Sequence, residues 1–144
     1  MTLVAYDASW PGRYEEERRR LAGMLPGAHI EHIGSTAVPG MAAAPVIDVM
    51  ALVGDLDGPI SVLVERGRYE FPADLNAGLS GRRWLYRQPF NLFLVDSDEL
   101  LSQELRFRDA LRGDAALAAS YEELKRAGAD WAAKDEFARG VVGE

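Results

Sequence analysis

Apolar positions set the reading frame of this chain. After Trp10-Pro11, the residues Tyr14, Leu21 and Leu25 recur at helical spacing with the stem of Arg18 among them, predicting a first helix over 12–25. Ser9 is placed to cap it, Pro11 suits a first turn, and Pro26-Gly27 ends it. Residues 28–33 alternate as a short strand, and 34–40 form a loop of small residues. A brief helical turn is expected over 41–44. The run PVIDVMALV, residues 45–53, is the most continuously apolar stretch, as in a central strand buried on both faces. A helix over 59–66, a short strand over 69–71 and an exposed loop over 72–81 follow. Two strands, 83–87 and 90–95, are joined tightly through Gln88-Pro89. Three helices are expected over 96–111, 114–127 and 129–141, separated by Gly113 and Gly128. The sum is an α/β (α+β) fold: a small mixed sheet, an early helix packed on it, and a helical C-terminal third.

Composition narrows the function classes. A chain of 144 residues fits one domain, spanning 1–144. With no cysteine, disulfides, thiolate metal sites and cysteine nucleophiles are excluded. No apolar run reaches the roughly 20 residues of a membrane span, and residues 1–8 lack the features of a signal peptide. A cytoplasmic location is the expectation. The net charge of −7 argues against a generic nucleic-acid surface, which needs Lys and Arg in excess. Arg18, Arg19 and Arg20 stand among Glu15, Glu16 and Glu17, as on a solvated helix face.

The chemistry concentrates in residues 33–53, IGSTAVPGMAAAPVIDVMALV. A Gly-Ser-Thr turn after a strand lets an anion approach Gly34 closely and offers the hydroxyls of Ser35 and Thr36. Asp48 follows within an apolar strand, where a carboxylate costs several kcal/mol unless paired, hydrogen-bonded or metal-bound. Two readings are open: a Mg²⁺ ligand beside phosphates held by Gly34–Thr36, or an anchor that pins the loop. Arg83 and Arg87 can clamp an anionic ligand or serve as surface ion pairs. His32 reads as a packed, hydrogen-bonded histidine; Arg106, Arg108 and Asp109 read as stitching between helices; and Trp84, Tyr86 and Phe90 read as core or sheet surface.

The run EHIGSTAVPG, residues 31–40, with PVIDV at 45–49, resembles the signature of the GrpB-like family. The segments Tyr6 to Trp10, RFRDALR at 106–112, Tyr121 to Lys125, and Lys134 to Phe137 extend the resemblance over nearly the whole chain. It implies a nucleotidyltransferase-like mixed β-sheet flanked by helices. Enzymes of that superfamily pair a Gly-Ser motif with two acids spaced Asp-x-Asp and a third on a later strand. Here Asp48 is the first acid, and Met50, on the same strand face, takes the second position. Ala44 stands where members usually carry Lys, and Asn91 and Phe93 stand where they usually carry two histidines. Asn91 can still hydrogen-bond a ligand. Asp96, ending the later strand, is the other acid that could assist Asp48.

Three functions are therefore expected in order. The first is a protein that binds a nucleotide or other phosphate-bearing ligand with little or no transferase activity. The second is a Mg²⁺-dependent nucleotidyltransferase with an incomplete acidic site, acting on an unknown acceptor. The third is a partner-binding or assembly domain. The candidate residues are Asp48 for catalysis and metal, and Gly34, Ser35, Thr36, Arg83, Arg87 and Asn91 for the ligand.

Overall fold

The computed structural model describes residues 2–143. Its elements in chain order are α1 (Trp10–Met24), β1 (His29–Ile33), a 3-10 turn (Ser35–Ala37), β2 (Ile47–Leu52), α2 (Ile60–Glu65), α3 (Ala73–Asn76), β3 (Arg82–Arg87), β4 (Phe90–Val95), α4 (Asp98–Gly113), α5 (Ala115–Arg126) and α6 (Trp131–Val142). The four strands form one mixed sheet in the order β1-β2-β4-β3. The β1–β2 and β3–β4 pairs are antiparallel, and the central β2–β4 pair is parallel.

Alternation along the strands assigns two faces. Ile47, Val49 and Ala51 of β2, with Phe90, Leu92 and Leu94 of β4, join Trp10, Leu21, Leu25, Leu63 and Leu85 in the main core under α1 and α2. Met50 and Val95 join Ile33 and Leu101 in a second core under α4. The apolar continuity of residues 47–52 thus follows from coverage on both sides. The last three helices pack on one another around Phe107, Tyr121 and Phe137, whose rings meet at 5.1–6.3 Å. Asp114 and Asp130 cap α5 and α6, accepting from the N–H of Leu117 and Ala133.

Three expectations change. Residues 41–44 are not helical: Ala43 forms an isolated bridge with Val4, exchanging hydrogen bonds of 2.9 and 3.0 Å. The expected strand at 69–71 reduces to one bridge between Glu70 and Tyr86, and the loop after it contains α3. Ser9 sits at the start of α1, yet its hydroxyl donates to Asp7 rather than capping the helix.

Candidate functional site

Asp48 is the second residue of β2, on the face turned to α4, α5 and α6. Its register partner on β4 is Asn91. Asn91 Nδ2 donates to Asp48 Oδ1 at 3.0 Å, and Trp84 Nε1 donates to Asn91 Oδ1 at 3.1 Å. The Trp84 contact fixes which end of the amide faces the carboxylate. Burial pushes the Asp48 carboxyl up to about 6, against the opposing effects of the Asn91 hydrogen bond and the Lys134 charge.

The other carboxylate oxygen explains Gly34. Residue 34 has φ +76°, and a Cβ built there would lie 2.6 Å from Asp48 Oδ2. No side chain fits, because the carboxylate occupies the space a Cβ would need. Asp48 and the loop are thus locked by contact, while among the described residues the hydrogen bond to the carboxylate comes from Asn91 and none comes from residues 34–36.

Ser35 and Thr36 diverge. Thr36 is buried, and its hydroxyl is hydrogen-bonded to His32 Nε2 at 2.9 Å. His32 in turn stacks on Tyr14 of α1, and burial holds its imidazole down at about 4, with help from Arg112 and Arg108. That pair belongs to the α1 side of the loop, and His32 is neutral near pH 7. Ser35 faces the other way: its Oγ accepts from Lys125 Nζ at 2.6 Å. Lys125 also donates to the Ala42 carbonyl at 2.8 Å. Burial lowers its ammonium to about 8, although Glu122 opposes the shift.

A cleft of about 320 Å³ opens among these groups. Gly34, Ser35, Asp48 and Asn91 from the sheet and its loop line it together with Lys125 of α5 and Lys134 of α6. An adjoining cavity of about 260 Å³ shares Gly34, Asp48 and Lys134 and adds Arg82, Glu104 and Trp131. Glu104, on α4, is pushed upward by burial and by the nearby Asp48 charge, with Arg82 opposing. The two cavities together are lined by three carboxylates, Asp48, Glu104 and Asp135, and four cations, Arg82, Arg108, Lys125 and Lys134, drawn from the sheet and all three C-terminal helices.

Of the candidate residues, the structure brings Asp48, Asn91, Gly34 and Ser35 together, whereas Arg83 and Arg87 lie elsewhere. On β3, the residues Arg82, Trp84 and Tyr86 share the cleft face, whereas Arg83 and Arg87 flank Leu85 on the α1 face. Arg83 pairs with Asp57 at 2.9 Å. Arg87 pairs with buried Glu17, which also accepts from Tyr69 and Arg20. The cleft takes Arg82 instead, one register position away. Asp96 lies five residues beyond Asn91, roughly 16 Å along the strand, too far to assist Asp48. Phe93 lines the adjoining cavity beside Met50. Arg108 does stitch, bonding Glu31 of β1 at 2.7 Å and the His32 carbonyl at 3.1 Å.

Glu104, Lys125 and Lys134 line the site although no sequence motif marks them as site residues. Their signal is faint but present in α6, where Trp131, Lys134, Asp135 and Ala138 fall at i, i+3, i+4 and i+7 on the face toward the cavity. Among the described residues, no group of three or more His, Cys, Asp or Glu stands ready to hold a metal ion. No helix in the described residues is long and apolar enough to cross a membrane.

Comparison with known proteins fits this architecture. A sequence model described as "GrpB protein" matches residues 1–139. A UPF0157 protein of Streptomyces coelicolor is 38% identical over 133 residues, covering 87% of this chain and 68% of its own. One from Halalkalibacterium halodurans is 27% identical over 133 residues, covering 88% and 68%. The crystal structure of the conserved protein GrpB from Enterococcus faecalis superposes with a TM-score of 0.80 at 31% identity. That superposition covers 97% of this chain and 94% of the other, including the mixed sheet and the helical C-terminal third. The chain belongs to the GrpB (UPF0157) family.

Proposed function

We propose that this protein binds a nucleotide or other phosphate-bearing ligand in the cleft between β2 and the C-terminal helices, with little or no transferase activity. The observation that carries the reading is that Lys125 and Lys134 line the same cleft as Gly34, Ser35 and Asp48. Two ammonium groups with a glycine and a hydroxyl in one recess match the charge and donors that a polyphosphate requires. Lys125 already donates to Ser35, so a phosphate oxygen would take over a donor that is poised rather than solvated.

The nucleotidyltransferase-like character proposed here rests on the Gly34-Ser35 and Asp48 arrangement. Mg²⁺ fits in a limited way. Asp48 and Glu104 are carboxylates within one electrostatic neighbourhood, while Met50 supplies no oxygen. An ion there would draw most of its ligands from phosphate and water, a habit that suits Mg²⁺. Asp48 would hold it and Lys134 would sit beside the phosphates.

Thermal unfolding with tripolyphosphate, ATP, GTP, CTP and UTP, each with and without Mg²⁺, tests the reading. Midpoints should rise with ligand concentration by mass action. Asp48→Asn should keep the fold and lose the Mg²⁺-dependent part of the rise. No shift with any of these probes at millimolar concentration overturns the proposal.

A second reading, an active Mg²⁺-dependent transferase, is favoured by Glu104, which restores a second carboxylate from α4. It requires an acceptor hydroxyl to attack the α-phosphorus, its proton passing to a base as pyrophosphate leaves. Pyrophosphate release from the four nucleotides with Mg²⁺ separates the readings. Turnover that falls with Glu104→Gln supports the transferase, and binding without release supports the first.

A further inference from the structure

Trp131 is a large apolar side chain left in the open. It is 71% exposed, against 2% for Trp10. It stands at the first turn of α6, just after the capping residue Asp130. Its place differs from those of the other exposed apolar residues, Val4, Val64 and Leu75. Trp131 lines both the cavity that contains Asp48 and Lys134 and a further recess of about 590 Å³ beyond it. Arg82 and Glu104 line both as well. The cleft at Ser35 and Lys125, the middle cavity and this outer recess therefore form one trough, each sharing lining residues with the next.

The two ends of the trough differ in chemistry. At the inner end stand Ser35, Lys125 and Lys134, suited to phosphate. At the outer end stands the Trp131 indole, with two guanidinium groups, Arg82 and Arg139, and two carboxylates, Glu104 and Asp135, lining the same recess. On α6 the spacing sets this order: Trp131 lies one turn before Lys134, and small Ala138 one turn beyond leaves room between helix and sheet. No aromatic ring among the described residues is paired with Trp131, and at 71% exposure most of its surface is open.

We propose that Trp131 is the stacking platform for the planar base of a nucleoside polyphosphate whose phosphates reach Lys134 and Lys125. This rests on the phosphate-binding reading above and narrows it from any phosphate-bearing ligand to one with an aromatic ring. Arg82 donates to a carbonyl or ring nitrogen of the base, and Glu104 accepts from a sugar hydroxyl or exocyclic amine. Both purines and pyrimidines are accepted, because every base presents a π-face to the indole.

The test compares tripolyphosphate with ATP and CTP, each with Mg²⁺, on the full chain. Binding is followed by thermal shift and by acrylamide quenching of tryptophan fluorescence. Trp10 is buried and Trp84 is engaged with Asn91, so the accessible signal is largely that of Trp131, and Trp131→Ala measures its share. Nucleotides should shield the indole from acrylamide, and tripolyphosphate should not. Trp131→Ala should weaken ATP and CTP roughly five- to hundredfold while leaving tripolyphosphate unchanged, and Trp131→Phe should recover part of the loss. If tripolyphosphate and nucleotides bind alike and Trp131 stays open to acrylamide, this inference falls and the phosphate reading stands. If no probe binds, both fall.

Discussion

On the α1 side of the sheet, Glu17 is only 2% exposed, yet it accepts from Arg87, Arg20 and Tyr69. Arg87 lies over the rings of Phe90 and Tyr69, at 5.2 and 5.9 Å from their centroids. On the other side, Asp48 has one hydrogen bond from a neutral amide, and Glu104 feels Asp48 as a repelling neighbour. The first face solves the problem of buried charge by pairing. The second leaves it partly unsolved at the edge of an open cleft. Charge that the fold does not neutralise internally is the charge available to a ligand.

The largest expected effect breaks the solved side. Glu17→Ala strands Arg87, whose buried Nε already has no partner. Urea unfolding should show a loss of about 3–5 kcal/mol. A loss below 1 kcal/mol would mean that the pairing on this face does not hold the fold.

Next comes the lock between the loop and the cleft. Gly34→Ala must place a Cβ 2.6 Å from Asp48 Oδ2 at φ +76°. It should cost about 1–3 kcal/mol. Adding Asp48→Ala should return the steric part and leave the dihedral part, giving a favourable coupling in a double-mutant cycle.

The third concerns pH, where the faces pull in opposite directions. The Asp48 carboxyl is raised from 3.8 to about 6, so the folded state binds more protons in that window. Its stabilising contribution is full below 3.8 and is lost as pH rises through 6. His32, on the α1 face, is lowered from 6.5 to about 4. Its contribution is full above 6.5 and is lost as pH falls through 4. In the native chain the two slopes oppose. Asp48→Asn should raise stability at pH 7, on the order of 2 kcal/mol, and expose a steeper rise between pH 4 and 6.5. Denaturant midpoints across that range check it; an unchanged slope would show that Asp48 is not held in its protonated range.

The smallest effect is at Arg83, paired with an Asp57 that is 69% exposed. Arg83→Ala should change stability by about 0.2–1 kcal/mol and leave any ligand-induced thermal shift intact. Arg82→Ala should do the reverse, sparing stability while reducing the shift. These neighbours on one strand sharpen the comparison to a single register step.

That register step marks how far the sequence could be read. The positions of the four sheet strands, the burial of the apolar run on both faces, and the adjacency of Gly34, Ser35 and Asp48 are legible from periodicity and loop chemistry. So is His32 as a packed residue. Arg83 and Arg87 read equally as an anion clamp or as ion pairs, and ion pairs are what they form; alternation puts the two on one face but does not say which face of the sheet α1 covers. Lys125, Lys134 and Glu104 are illegible as site residues for a different reason. They lie on helices whose faces depend on how three amphipathic segments pack together, and pattern within one helix does not say which neighbour its polar edge will meet.

The parallel pairing of β2 with β4 carries a consequence for how the molecule assembles. The β3–β4 hairpin has only two residues between its last paired positions, Arg87 and Phe90, and can close locally. The Asp48–Asn91 contact spans 43 residues, and Lys125 reaches Ser35 across 90. Both require long loops to close, so their entropic cost falls before the reward of the contact. The cleft is thus among the most topologically remote constructions in the chain. A ligand bound there would report that the whole polypeptide has found its path, and its affinity would be a readout of completed folding as much as of local chemistry.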